Sequence, residues 1–176
     1  MAAARPGWTR RGHDVGYRYR RRAVTGKALI VGYGNPLRGD DGIGQAVAQA
    51  FAHEAAIAGA EAVGCHQLLP ELAESLTAVD LAVFVDAAAG IQPGSVVITP
   101  VRGVAGPASG LVHHVDPGAL LALSEKLYGR APAAFLVTVG AGSLALGEGL
   151  TAAVAAALPK VIAAVRQLVL EHLPAA

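Results

Sequence analysis

The sequence predicts an α/β fold: a three-layer α/β/α sandwich around a mostly parallel, roughly five-stranded twisted sheet. Three observations carry this. Short apolar runs bounded by glycine or turn residues alternate with segments whose apolar residues recur at helical spacing. No internal repeat breaks the alternation. The 176 residues, 53% hydrophobic and 15% charged, suit one domain with one sizeable core.

The elements follow in order. Ala28 to Tyr33 reads as a short buried strand closed by glycine. After a Gly- and Asp-rich loop, Ile43, Val47, Ala50 and Phe51 predict a helix from about Asp41 to Ala58, with Asp40 or Asp41 placed to cap it. Residues 62–69 form a second strand candidate, and 70–77 a short helix with Pro70 in its first turn. Leu81 to Asp86 is a third apolar strand that ends in a carboxylate. Gln92-Pro93-Gly94 turns into a fourth strand over 95–99. Asp116-Pro117 opens a helix with Leu120, Leu123, Leu127 and Tyr128 on one face. Phe135 to Val139 is a fifth strand. A last amphipathic helix carries Val154, Leu158, Val161, Ile162, Val165 and Val169, with Pro159 expected to kink it or split its first turn.

Charge is unevenly distributed. Residues 1–26 hold seven arginines and one aspartate, a net of +6; the remaining residues hold seven basic and twelve acidic side chains, a net of −5. The basic segment reads as a disordered extension or a misassigned start ahead of a domain over 27–176, not as a nucleic-acid-binding arm. It lacks the apolar stretch of a signal peptide. The run Leu150–Leu173 is interrupted by Lys160, Arg166 and Glu171, so no bilayer-spanning stretch is expected. Cys65 is the single cysteine, which excludes an intrachain disulfide and suits a reducing cytoplasm. Cys65 and His66, as neighbours on a strand, point to opposite faces and form no dyad.

Gly32-x-Gly34 after a strand invites a dinucleotide reading. That fingerprint needs a third glycine where Leu37 stands, and Asp40 and Asp41 occupy the helix N-terminus where a pyrophosphate binds. Two carboxylates there repel a phosphate and suit a cation. Ligands of open α/β sheets bind beyond the carboxyl ends of strands. Here those ends offer Asp40 and Asp41 after the first strand, Asp86 at the end of the third, and His113-His114 before the third helix. Asp41, Asp86 and one of the two histidines make an oxygen and imidazole set suited to a borderline divalent metal such as nickel or zinc.

The segment Gly32-Tyr33-Gly34-Asn35-Pro36-Leu37-Arg38-Gly39-Asp40-Asp41-Gly42-Ile43-Gly44 is similar to the opening motif of the nickel–iron hydrogenase maturation protease family. In order behind it, Phe84-Val85-Asp86-Ala87, His113-His114-Val115-Asp116-Pro117, Thr138-Val139-Gly140 and Gly147-Glu148-Gly149-Leu150-Thr151 resemble further blocks of that family. The resemblance spans nearly all of Lys27 to Leu173, and the basic segment lies outside it. It implies an endopeptidase that removes the C-terminal extension of a hydrogenase large-subunit precursor after nickel insertion. By position, Asp41, Asp86 and His113 correspond to the metal-binding and catalytic residues, with nickel supplied by the substrate and no organic cofactor. The chain departs from the family pattern in two places. Asp41 stands where some relatives have Glu, and Leu111-Val112 stand where Ser or Thr is common before the histidine. The expected partner is the precursor, with no nucleic acid, no membrane and a monomeric, cytoplasmic enzyme. The alternatives are a factor that docks on the nickel-loaded subunit without cutting it, and a small-molecule metallohydrolase.

Overall fold

A computed structural model describes residues 26–53, 59–104 and 115–173. Five strands, β1 (Ala28–Tyr33), β2 (Ala60–Cys65), β3 (Leu81–Ala88), β4 (Val96–Val101) and β5 (Ala133–Gly140), form one sheet in the order β2-β1-β3-β5-β4. All pairings are parallel except β4 with β5. Among the described residues four helices accompany them: α1 (Ile43–His53), α2 (Leu72–Thr77), α3 (Pro117–Tyr128) and α4 (Ala152–His172). The mostly parallel five-stranded sheet with helices is the architecture expected from the sequence.

The two faces follow from strand alternation. In β3, Leu81, Val83 and Val85 join α1 and α4 in one cluster, with Ile43, Val47, Val154, Val161 and Val165. Ala82 and Phe84 join the opposite cluster, with Leu76 of α2 and Leu120 and Leu121 of α3. By the same alternation, Tyr33 and Asp86 belong to the α2/α3 face at the carboxyl edge. The chain crosses from β1 to β2 through α1 on one face and returns to β3 through α2 on the other. The strand order therefore reverses between β1 and β3, the position at which open α/β sheets place their ligand crevice, beyond the carboxyl ends of the strands.

The expected α1 begins later than the sequence suggested. A 3-10 turn, Gly39–Gly42, occupies the residues read as its first turn, and residues 54–58 lie outside the described residues. β2 stops at Cys65, so His66 follows the strand instead of alternating within it. The predicted cap of α3 is present: Asp116 accepts from the Ala119 N–H at 2.7 Å. Pro159 leaves α4 unsplit over 21 residues. Pro159 and Ala155 are both exposed, so the carbonyl that loses its hydrogen bond to the proline faces water. Against expectation, α4 is long and apolar enough to cross a membrane by length and composition. Its stripe Val154, Ala157, Val161, Ala164, Val165, Leu168 and Val169 is nevertheless buried on the sheet, as a core helix requires.

Gly44 brings α1 down onto the crevice. A Cβ there would lie 2.4 Å from the carbonyl oxygens of both Tyr33 and Val85, one on β1 and one on β3. Gly44→Ala should cost about 3 kcal/mol by forcing the helix off both strands. Urea unfolding checks this, and an unchanged midpoint would mean that the helix can shift freely.

Candidate active site

The loop after β1 is built around the backbone of Asp41. Gly34 has a φ of 126°, and a Cβ on it would lie 2.0 Å from the Asp41 carbonyl oxygen. Asn35 accepts from the Leu37 N–H at 3.0 Å through its side chain, closing a short Asx turn. Its own N–H donates to Asp41 Oδ2 at 2.8 Å. The Asp41 carboxylate, half-buried, is thereby anchored by one oxygen at the mouth of the crevice.

Asp40 does not cap a helix. The residue at the N-cap of the 3-10 turn is Arg38, which makes no side-chain cap bond. Asp40 is fully buried and turns toward the loop between β5 and α4. Its Oδ2 accepts from the N–H groups of Gly142 at 2.7 Å and Ser143 at 3.0 Å, and from Thr151 Oγ1 at 2.9 Å. Its Oδ1 accepts from the Thr151 N–H at 2.6 Å. Burial pushes its carboxyl up, but the bonds from Thr151, Ser143 and Gly142 outweigh that and hold it below the usual carboxylate range. The sequence could not place this bracket, because its partners lie about a hundred residues away.

Asp86 ends the apolar part of β3. Its Oδ1 accepts from the Ala87 N–H at 2.8 Å, and the Tyr33 hydroxyl also donates to it. Burial raises its carboxyl to about 6, with the nearby Asp41 charge adding to the rise and the two hydrogen bonds opposing it. Burial and the Asp86 charge push the Tyr33 phenol up in turn, so it stays a donor. Tyr33 went unassigned in the sequence reading. No local signal could have found it, because the register that pairs Gly32 with Val85 and sets Tyr33 near Asp86 is a property of the sheet. Tyr33→Phe should raise the Asp86 pKa further above about 6, because the bond that favours the charged form is gone. Carboxyl-detected NMR titration reads this directly; a fall would show that the hydroxyl does not hold the carboxylate.

Asp41, in the turn after β1, and Asp86, near the carboxyl end of β3, lie near enough for the Asp41 charge to reach Asp86. His113 and His114 lie outside the described residues. The chain resumes at Val115, packed on the cluster below Tyr33, and the Asp116 charge also reaches the Tyr33 hydroxyl. Among the described residues, no three His, Cys, Asp or Glu side chains converge in a metal-binding group. Cys65 adjoins Tyr33, and burial pushes its thiol up, which disfavours the thiolate a nucleophile needs. A groove of about 530 Å³ runs along α1 and β2, lined by Gln45, Gln49, Ala62 and Gly64 among others. Neither Asp41 nor Asp86 lines it.

The fold is that of the nickel–iron hydrogenase maturation proteases. The [NiFe] hydrogenase maturation protease HycI from Thermococcus kodakarensis KOD1 superposes with a TM-score of 0.66 at 22% identity, over 81% of this chain and 92% of that one. The hydrogenase maturating endopeptidase HybD from E. coli gives 0.64 at 21% identity, over 82% and 93%. The maturation protease HybD from Thermococcus kodakarensis gives 0.63 at 23%, over 81% and 99%. No protein-family model and no curated protein matches the sequence.

Proposed function

We propose that this protein is a cytoplasmic endopeptidase that removes the C-terminal extension of a nickel–iron hydrogenase large-subunit precursor after nickel insertion. The observation that carries the reading is the approach of Asp41 and Asp86 at the strand-order reversal, where Asp86 is held near 6 by burial and by its acidic neighbour. The buried Asp86 carboxyl feels the Asp41 charge as a repulsion, and a cation between them would relieve it. The opening motif and the shared fold with the maturation proteases support the same reading.

In this reading Asp41, Asp86 and His113 bind the nickel that arrives with the substrate, a donor set of carboxylate oxygens and imidazole suited to that ion. Bound nickel supplies Lewis acidity beside the scissile peptide bond. The chain's own groups do the rest. The Asn35 N–H holds one oxygen of Asp41 in place. Tyr33 and the Ala87 N–H orient Asp86. The value near 6 belongs to the metal-free carboxyl; nickel at the site would lower it and keep Asp86 charged as a ligand.

The experiment is mass spectrometry of the nickel-loaded precursor with and without the protein. Shortening of the precursor that stops with Asp41→Ala or Asp86→Ala supports the reading. A precursor of constant mass that still forms a complex would make the protein a docking factor.

A further inference from the structure

We propose that Asp40 is a positioning residue for the reaction: it sets where the Asp41 carboxylate stands by pinning their shared turn to the loop between β5 and α4. The inference rests on the function proposed above and goes beyond it to how the site is assembled. The two aspartates are consecutive residues of the 3-10 turn Gly39–Gly42. With three residues per turn, consecutive side chains leave such a turn about 120° apart. Asp40 is fully buried, and Asp41 leaves in another direction and is half-buried. A rotation or slide of the turn moves both side chains together.

The bonds of Asp41 are local. Its Oδ2 accepts from the Asn35 N–H at 2.8 Å, and its N–H donates to the Arg38 carbonyl oxygen at 3.2 Å. Both partners belong to the same β1–α1 loop, so these bonds shape the loop without tying the turn to the segment before α4. That tie runs through Asp40 and its neighbours. Gly142, Ser143 and Thr151 converge on the Asp40 carboxylate from 102 to 111 residues away. The Asp40 N–H donates to the Ser143 carbonyl oxygen at 3.0 Å, and the Gly39 N–H to that of Gly147 at 2.8 Å.

The bracket also uses α4. Thr151 is the N-cap residue of that helix, yet its side chain makes no cap bond, and its hydroxyl donates to Asp40 instead. The Asp40 carboxylate accepts the Thr151 N–H at 2.6 Å, at the positive end of a 21-residue helix. Apolar side chains could hold turn and loop together with as much stability. What a carboxylate with four directional bonds adds is one fixed orientation of the turn, and the next residue on that turn is Asp41.

The test compares Asp40→Asn, Thr151→Val and Ser124→Ala in the full chain. Asparagine keeps one acceptor oxygen. Valine keeps the shape and the N–H of Thr151 and removes one of the four bonds. Ser124→Ala controls for lost stability alone, because its buried hydroxyl bonds the Ala73 and Arg130 carbonyl oxygens on the α2/α3 face. One readout is the amide resonance of Asn35, which reports on the Asp41 carboxylate it donates to. The other is kcat for the nickel-loaded precursor per folded molecule, well below the unfolding temperature of the least stable variant. Asp40→Asn should move the Asn35 resonance and lower kcat about a hundredfold; Thr151→Val should move it less, in the same direction, and lower kcat about tenfold. Ser124→Ala should unfold at a lower temperature and change neither. A resonance or a kcat that stays at wild type in both bracket variants would overturn the proposal and leave Asp40 a structural group only. So would an equal shift in Ser124→Ala. Where Asp40→Asn fails to fold, Thr151→Val alone decides. A wild type that leaves the precursor intact would sink the function proposed above, while the Asn35 resonance would still decide whether Asp40 places Asp41.

Discussion

Asp86→Asn should make this protein more stable and inactive. The folded Asp86 carboxyl stands near 6, above its ordinary 3.8, so the folded state holds a proton that the unfolded chain has released. A raised pKa contributes stability below pH 3.8, and that contribution is lost as pH climbs through about 6. Above that pH the fold carries the full cost of a buried anion beside Asp41, about 3 kcal/mol for two pKa units. Asparagine removes the charge but faces its amide against one of the two donors that Asp86 accepts from, the Tyr33 hydroxyl or the Ala87 N–H. The net gain should be about 1–2 kcal/mol at pH 7.5. The slope of stability between pH 4 and 6 should flatten. Precursor cleavage should fall by at least about a hundredfold, since the amide does not bind a cation as a carboxylate does. Urea melts across pH and a cleavage assay read the two effects together. A variant less stable than wild type at pH 7.5 would mean that the Asp86 charge is satisfied in the fold.

Asp40→Ala should do the opposite to stability. Four donor contacts converge on this one buried carboxylate, from Gly142, Ser143 and Thr151. Removing it strands those donors and unties the β5–α4 loop from the turn before α1, which should cost about 3–5 kcal/mol. The sign of its linkage is also opposite. Its folded pKa is depressed, so its contribution is present above pH 3.8 and is lost only as the pH falls through the lowered value. The loss in Asp40→Ala should therefore be full at pH 7 and shrink in strong acid. Hydrogen exchange of the Gly142, Ser143 and Thr151 amides should accelerate in the variant. Amides that stay protected would show that water or neighbouring groups replace the carboxylate. Two aspartates within one domain thus have opposite pH signatures, one a structural bracket and the other a buried liability at the candidate site. Such a liability is the usual trade of stability against activity.

Most of the framework was legible in the chain. The apolar runs of β1, β3 and β5 and the stripe of α4 are periodic and bounded by turn residues, and periodicity is local information. Asp116 with Pro117 announced its helix for the same reason. Boundaries were less legible. The residues read as the start of α1 form a 3-10 turn, because Asp40 is drawn inward to the loop before α4 instead of capping the helix. The bridge between Arg38 and Gly147 could not be read either, since it joins segments more than a hundred residues apart.

The sequence by itself determined the class of fold and the residue types at the strand ends. Both depend on local pattern: hydrophobic period, turn chemistry and carboxylates that stop apolar runs. Only the tertiary structure decided which of two adjacent aspartates serves the core and which faces the crevice. It also paired Tyr33 with Asp86, and it joined Arg38 to Gly147. The physical reason is common to all three. Burial, hydrogen-bond partners and electrostatic neighbours are long-range properties, set by how β1, β3 and β5 lie side by side, and no window along the chain contains them.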